Sequence, residues 1–337
     1  PHFEIILPSK FITFSIGLFI LVLTASTITS IHPYTSIFGY YSRFHGGLLS
    51  YFVFSILFFI VLNKTSKQPH LKNSILFTFV LSIVIVSIYG ILQHFGIDDP
   101  LWKQDVKNRI FSTMGQPNWL ALVVIAALPW SWSLSMIKKN NYPSIIFYSL
   151  SFVTQIILGW CLLYTKSRSG FLALIVMICI YWLLIIIKDL KSLKTIIPSL
   201  IIFVLGFGIP ILISGSPYTK PIYEKPPTES ESTTPVSSDP GGTESFTIRQ
   251  IVWKGAINIG LKYPLLGTGP ETFAYSYFWE RPIEQNYVSE WDFIYNKAHN
   301  EFLNFYATTG LTGVVSYSLV LITICIILLI SIVKSKP

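Results

Sequence analysis

Long apolar blocks alternate with shorter polar segments along most of the chain. A helix needs about 20 apolar residues to cross the hydrocarbon core of a bilayer, and the blocks have about that length. We therefore predict about eight membrane-spanning helices. Their expected bounds are 11–31, 46–62, 73–93, 119–137, 145–164, 170–187, 195–214 and 311–333.

The region between the seventh and eighth blocks has a different pattern. Its first part is rich in Pro, Ser, Thr and Glu and has too few apolar residues to form a core, so we expect a disordered insert. In the second part, Ile248, Val252, Ala256 and Ile259 recur at the spacing of an α-helix, which predicts a short amphipathic helix outside the membrane. The expected domains are membrane helices one to seven in 1–214, the insert in 215–246, an extracytoplasmic loop in 247–310, and helix eight with the chain end in 311–337.

Composition agrees with an all-α, polytopic integral membrane protein. Of the 337 residues, 52% are hydrophobic and only 12% are charged. Helices are expected because each satisfies its own backbone hydrogen bonds in lipid, and the weak alternation of an outer-membrane barrel is absent from the sequence. Cys161, Cys179 and Cys325 all lie in apolar blocks, so neither a disulfide framework nor a thiolate metal site is indicated.

The net charge of +8 reflects membrane topology rather than a nucleic-acid partner. Lysines occupy every second gap between the blocks, and the positive-inside rule makes those gaps cytoplasmic. Both chain ends are therefore expected inside, and the segments 33–45, 94–117, 165–169 and 215–310 outside. No cleavable signal peptide is evident. The marking lysines are Lys64, Lys67, Lys72, Lys138, Lys139, Lys188, Lys191, Lys194, Lys334 and Lys336.

All four expected outer segments carry basic residues. Arg43 in the first is a candidate for phosphate binding or an anchor at the lipid headgroups. The second mixes acids and bases and is expected to be solvated; Asp98 and Asp99 there fit a turn better than a metal site. It also contains Arg109, shortly before a Gly and a Pro that suggest a shaped return into the membrane.

The turn between the fifth and sixth blocks contains Lys166 and Arg168, which break the positive-inside pattern. Ions at a membrane edge are costly unless an anion accompanies them. The planar guanidinium of arginine suits phosphate because it donates two parallel hydrogen bonds. A phosphate site and a headgroup anchor both remain open for this turn.

His299 lies where a polar, aromatic-rich stretch passes into the last apolar block, beside Lys297, Asn300 and Glu301. A histidine there can exchange protons with water while it faces a lipid-borne substrate. The alternative is an interfacial residue that caps a helix.

The sequence contains no GxSxG, Walker, HExxH or CxxC motif, and the GTGP segment at 267–270 lacks the context of a dinucleotide site. A site made from these residues would bind a diphosphate with arginines and use His299 as a base on a hydroxyl.

Four segments together resemble the O-antigen ligase and polysaccharide polymerase family of bacterial membrane glycosyltransferases. Their order, spacing and positions between the apolar blocks make the combination specific, and a weaker fifth match is SIFGYYSRFHGG in the first outer segment. The four are RIFSTMGQPNWLA (109–121), TKSRSGFLAL (165–174), RQIVWKGAINIGLKYPLLGTGPETF (249–273) and KAHNEFLNFYATTGLTG (297–313).

The resemblance implies a GT-C-like helical bundle in the bacterial cytoplasmic (inner) membrane, with a large extracytoplasmic catalytic loop. It implies transfer of a glycan from undecaprenyl diphosphate to a hydroxyl of a glycan, lipid or protein acceptor, with inversion and without metal or cofactor. His299 would be catalytic, and Arg168 and Arg249 would hold the diphosphate. The candidates for further substrate contacts are Arg43, Arg109, Lys166, Glu271 and Asn300.

This chain departs from the family pattern in two places. Members usually have several spans after the His-Asn motif, whereas this sequence has one, which suggests that further spans are missing. The expected insert also lies in the loop where an acceptor would be chosen.

The alternative function is a transporter or flippase of lipid-linked oligosaccharide, which would place ionisable residues near the middle of its spans; the predicted spans are nearly free of charge. A structural anchor would leave the outer arginines unexplained.

Overall fold

The computed structural model describes residues 10–68, 70–102, 104–135, 144–188, 193–214 and 245–334, and these residues form helices and connecting loops without a strand. Short 3₁₀ turns occur at Asp99–Leu101, Ser112–Met114 and Ile283–Tyr287. The α-helices are α1 (Lys10–Ile28), α2 (Pro33–Phe38), α3 (Leu48–Lys67), α4 (His70–His94), α5 (Pro117–Leu134), α6 (Ser144–Thr165), α7 (Arg168–Lys188), α8 (Leu193–Ser214), α9 (Ser245–Lys262), α10 (Phe273–Glu280) and α11 (Glu301–Lys334).

Within these described residues, 8 helices are long and apolar enough to cross a membrane: α1, α3 to α8, and α11. The prediction of an all-α protein with eight spans is therefore confirmed. The expected insert at 215–246 lies almost entirely outside the described residues. Description resumes at Ser245, where α9 begins.

Several predicted span ends were wrong by one or more turns. The largest difference is α11, which begins at Glu301 rather than at position 311. In addition, α3 continues to Lys67 and α4 begins at His70, so the marking lysines nearby lie in helix ends rather than in a loop. An apolar window finds the hydrocarbon-spanning part of a helix, whereas hydrogen bonding carries the helix on into the polar layer, where lysine side chains reach water.

The helices group into two compact units, which we describe separately. The first unit contains α1 to α3 and α9 to α11. The second contains α4 to α8. Each unit has its own hydrophobic core.

In the second unit the core lies along α5. Leu120, Val124, Leu128 and Trp132 recur every four residues and are fully buried, because that spacing places them on one helix face. The Trp132 ring packs edge-on against Tyr181 of α7, with the ring centroids 4.9 Å apart. This packing holds the C-terminal parts of α5 and α7 close together.

In the first unit α9 carries the predicted apolar stripe. Ile248, Val252, Ala256 and Ile259 are buried and belong to one core cluster with residues of α10 and α11. Helix α9 is not among the candidate spans, and its core also includes Ala307 from the first part of α11. This core supports the segments that carry His299 and Arg249.

Helix α11 is broken at Gly310, whose φ of 66° and ψ of −167° are not helical. The GTGP loop pairs with the chain around the break: Leu311 donates its amide to the Pro264 carbonyl at 2.8 Å, and Gly269 donates to the Thr308 carbonyl at 2.7 Å. A Cβ at Gly267 would lie 2.3 Å from the Thr308 carbonyl carbon. The glycines of GTGP thus allow backbone to approach backbone, which fixes the first part of α11.

Candidate functional site

His299 lies immediately before α11 and has an exposed side chain. Its φ of 53° is in the left-handed region, which non-glycine residues rarely occupy. Two asparagine side chains hold the chain on either side of it: Asn304 accepts a hydrogen bond from the Ala298 amide at 3.3 Å, and Asn300 accepts one from the Leu303 amide at 3.3 Å. The second bond is an N-cap. Asn300, a candidate for substrate contact, therefore also sets where α11 begins.

The surroundings of His299 lower its pKa below the ordinary value. The His299 ring is accessible to solvent, but the surrounding protein removes part of its water. This desolvation is the largest cause of the lowered pKa. The positive charge of Arg249 lowers the pKa further, Glu290 opposes the shift, and Arg43 adds to the lowering. The imidazole is therefore held neutral, the form that can accept a proton.

Arg249 lies in the first turns of α9 and is half-buried. Among the residues that the structure describes, no hydrogen bond or carboxylate contact is made by its guanidinium. Arg43 lies on the exposed loop between α2 and α3, and its charge also reaches His299. The two cations make this part of the surface attractive to an anion.

Glu271 and Lys297 form an ion pair beside this histidine. Glu271 is only 7% exposed and has a left-handed φ of 62°. Its carboxylate lies against Gly46, where a Cβ would be 2.5 Å from Oε1. The pair thus joins three distant parts of the chain, and Glu271, a candidate substrate contact, has a protein partner.

Two neighbours of His299, Tyr295 and Glu290, and the buried Gln285 that supports the loop before it were not identified from the sequence. Tyr295 packs its ring edge-on against His299 with the centroids 5.9 Å apart, and its hydroxyl donates to Glu290. Gln285 is buried, accepts a hydrogen bond from Tyr277 at 2.6 Å and donates one to the Phe293 carbonyl at 3.0 Å. The aromatic richness of residues 287–295 was the available signal, but its partners depend on the fold.

The second unit brings together Arg109, Lys166 and Arg168. Arg109 donates to the Thr165 carbonyl at 3.0 Å and to Asn118 at 3.3 Å, and Lys166 donates to Asn108. Arg168 is the first residue of α7, is exposed, and makes no side-chain hydrogen bond or ion pair within the described part of the chain.

The N-terminus of α7 at this turn favours negative charge. Ser167 caps the helix by accepting the Gly170 amide at 3.0 Å. The partial positive charge of a helix N-terminus, next to the exposed Lys166 and Arg168, suits an anion. Arg168 keeps its donors available there.

The expectation that the second outer segment is solvated was wrong for Asp98, which is only 6% exposed. Its Oδ2 accepts hydrogen bonds from Tyr89 at 2.7 Å, Gln93 at 3.0 Å and Trp102 at 2.7 Å. These three donors hold Asp98 in place of a metal. No group of three His, Cys, Asp or Glu side chains that could hold a metal ion occurs among the residues that we can describe.

The predicted site residues are therefore divided between the units. The first unit contains Arg43, Arg249, Glu271, His299 and Asn300. The second contains Arg109, Lys166 and Arg168. The long apolar helices define a multi-pass membrane protein. The neutral histidine and the basic residues outside the spans form polar surfaces that attract an anion.

A family model for O-antigen ligase matches residues 153–318 of the chain. No curated protein and no solved structure matched it. The matched part includes Arg168, Arg249 and His299 and three of the four motif segments. This match supports a place for the chain in the O-antigen ligase and polysaccharide polymerase family. That family implies a glycosyltransferase-type enzyme that takes a lipid-linked glycan and an acceptor, and the eight apolar helices of the described residues suggest a multi-pass bacterial membrane protein.

Proposed function

We propose that the protein transfers a glycan from undecaprenyl diphosphate to an acceptor hydroxyl at the outer face of the cytoplasmic membrane, with both described chain ends inside. The observation that carries the proposal is an accessible His299 with a lowered pKa, close to Arg249, whose guanidinium has no carboxylate or hydrogen-bond partner among the described residues. A neutral imidazole is the base that hydroxyl transfer requires, and an unpaired guanidinium suits the diphosphate.

In the proposed reaction the acceptor oxygen attacks the anomeric carbon while His299 takes the hydroxyl proton. The bond between that carbon and the diphosphate oxygen breaks, and its electron pair leaves with the diphosphate. The leaving group gains negative charge, so Arg249 stabilises the transition state more than the ground state. Direct displacement inverts the anomeric centre, and no step requires a metal.

Phosphate binding at Arg168 in the second unit is proposed on evidence that does not depend on His299 or Arg249. It is exposed at the N-terminus of α7, and we propose that it binds phosphate of the carrier, with Lys166 and Arg109 as neighbouring cations. An apolar cavity of about 600 Å³ lies against α5 and α7 and includes Ser169, the residue after Arg168, together with Leu172 and Val176. An apolar cavity that reaches a cationic turn suits a lipid with an anionic head.

The test is transfer in vitro from undecaprenyl-diphosphate glycan extracted from the host. Purified full-length protein should release undecaprenyl diphosphate, also in the presence of EDTA. His299→Ala should lower the rate by at least about 100-fold, because general base catalysis contributes about that much, and Arg249→Ala and Arg168→Ala should also lower it. His70→Ala, which changes an exposed histidine at the start of α4, is the matched control.

Two results would contradict the proposal. A fully active His299→Ala enzyme would mean that the base lies elsewhere. Movement of the carrier across the bilayer with its glycan intact would make transport the function instead of transfer.

A further inference from the structure

An exposed row of aromatic and acidic residues precedes His299 and has no part in the mechanism above. The side chains of Trp291 and Phe293 are 57% and 55% exposed. They alternate with the carboxylates of Glu290 and Asp292, which are also exposed. Large aromatic rings usually lie in a core or an interface, so two exposed rings in one short segment indicate a binding surface.

The backbone beneath this row is firmly held. Arg281 donates hydrogen bonds to the Trp291 carbonyl at 3.1 Å and to Asn286 at 2.8 Å. Buried Gln285 donates to the Phe293 carbonyl at 3.0 Å. Because these bonds use backbone oxygens, they fix the segment and leave both aromatic side chains available to a ligand. A rigid surface loses little conformational entropy on binding.

The row leads directly to the proposed base. The rings of Phe293 and Tyr295 have centroids 5.0 Å apart, and those of Tyr295 and His299 have centroids 5.9 Å apart. Glu290 is held by the Tyr295 hydroxyl and acts electrostatically on His299. A molecule lying on Trp291 and Phe293 would therefore extend toward the group that accepts the hydroxyl proton.

The chemistry of the row matches sugars. The apolar faces of sugar rings stack on exposed aromatic rings, and sugar hydroxyls donate charge-assisted hydrogen bonds to carboxylates. Residues 283–294 contain three carboxylates and no lysine or arginine, and the neighbouring Arg281 already donates to the Trp291 carbonyl and to Asn286, so the charge of this segment disfavours a diphosphate and an anionic lipid leaflet. Segments that lie on anionic membranes are instead rich in lysine and arginine.

We propose that Trp291 and Phe293, with Glu290 and Asp292, form a binding platform for the sugar units of the acceptor. The diphosphate of the donor requires cations, which are assigned to Arg249 and Arg168, so the platform is assigned to the acceptor, and binding of the donor's sugars there is an outcome of the test. The inference rests on the proposed transfer reaction and narrows it: the acceptor hydroxyl belongs to a glycan rather than to a protein side chain.

The experiment measures binding and transfer separately with the full-length protein in nanodiscs. The binding probe is the lipid-free oligosaccharide of the host's glycan acceptor, and the competing probe is the glycan that mild acid releases from the carrier, each titrated by saturation-transfer NMR. Binding of the carrier glycan alone would assign the platform to the donor and overturn the proposal. Trp291→Ala and Phe293→Ala should each weaken binding by up to about tenfold, as expected for the loss of one aromatic contact. They should raise the KM for acceptor and leave the KM for carrier unchanged. His299→Ala should abolish transfer and retain binding.

Trp279→Ala is the matched control, because Trp279 is 79% exposed in the same unit and lies outside the row that leads to His299. Unchanged glycan binding in Trp291→Ala would overturn the platform, as would an equal loss in Trp279→Ala. Weaker binding of the Trp291→Ala variant, taken out of nanodiscs, to phosphatidylglycerol vesicles would indicate that Trp291 contacts the membrane. With glycan binding intact, that result would replace the sugar platform with a membrane contact. A wild-type enzyme that binds the glycan but releases no carrier would refute the proposed reaction and leave the platform standing.

Discussion

His299 combines a strained backbone with an accessible, neutral side chain. A left-handed conformation costs free energy in a non-glycine residue and persists only where neighbours enforce it. Here the Asn300 cap and the Asn304 bond to Ala298 supply that constraint. Both bonds hold the backbone and do not use the imidazole, and neither ring nitrogen has a hydrogen-bond partner within the described part of the chain.

The lowered pKa of His299 predicts the acid side of the pH–rate profile. The base works when neutral, so the rate should fall as the pH decreases through its pKa, with a midpoint below the ordinary value of about 6.5. Arg249→Gln removes a charge that lowers this pKa. It should move the midpoint to higher pH, although not fully to the ordinary value, because partial burial is the larger cause. The profile of kcat/KM and an NMR titration of His299 measure this shift.

Glu290→Gln provides the opposite control. Glu290 raises the His299 pKa, so its removal should move the midpoint to lower pH. Shifts in the same direction for both variants would show that another group controls the acid side.

The sequence predicted charged members of the candidate site but not their partners. His299 was predicted because a histidine where a polar stretch meets an apolar span suits proton transfer, and Arg249 was predicted from the resemblance to the ligase family. Glu290, Tyr295 and Gln285 were missed because their contacts form only after folding. Asn300 and Glu271 stay predicted substrate contacts, and the structure also gives them a helix cap and an ion pair.

At the scale of helices, contacts that form only after folding also explain why the break in α11 was not predicted from the sequence. Apolar blocks predicted the eight spans because bilayer thickness sets their length. The start of α11 was placed too late because residues 301–310 are too polar for the membrane criterion but still helical. The GTGP segment indicated a turn, yet no local pattern shows that it pairs with the backbone on both sides of Gly310.

That pairing predicts a large cost for a side chain at Gly310. Its φ is +66°, and a Cβ would lie 2.3 Å from the Leu265 carbonyl oxygen. Backbone must therefore move, and we expect Gly310→Ala to lower the free energy of unfolding by about 2 kcal/mol or more. The measurement is thermal unfolding in detergent, with transfer activity as a second reading.

Gly17→Ala is the control for that variant. Gly17 lies in α1, and nothing lies within 4 Å of a Cβ built there, so alanine should be neutral or stabilise the helix by up to about 1 kcal/mol. Equal stability of Gly310→Ala and Gly17→Ala would mean that the GTGP loop does not fix the break in α11.

At the scale of the whole molecule, the positive-inside rule predicts which side of the membrane carries the chemistry. Lys64 and Lys67 lie in the last turn of α3, and the rule predicts that His299 and Arg249 lie on the opposite side of the membrane from them. A glycan on a lipid carrier and a hydroxyl acceptor can meet only on the face that holds both. The proposed reaction therefore requires the loop before α11 to be extracytoplasmic.

Cysteine labelling tests this orientation in a variant whose native Cys161, Cys179 and Cys325 are replaced by alanine. Tyr287→Cys in the loop, at an 82% exposed position, should react with a membrane-impermeant maleimide in intact spheroplasts. Ser66→Cys, exposed near the end of α3, should react only after permeabilisation. The reversed pattern would place His299 inside the cell, where the positive-inside rule and the proposed reaction would both be wrong, and soluble cytoplasmic acceptors would then have to be considered.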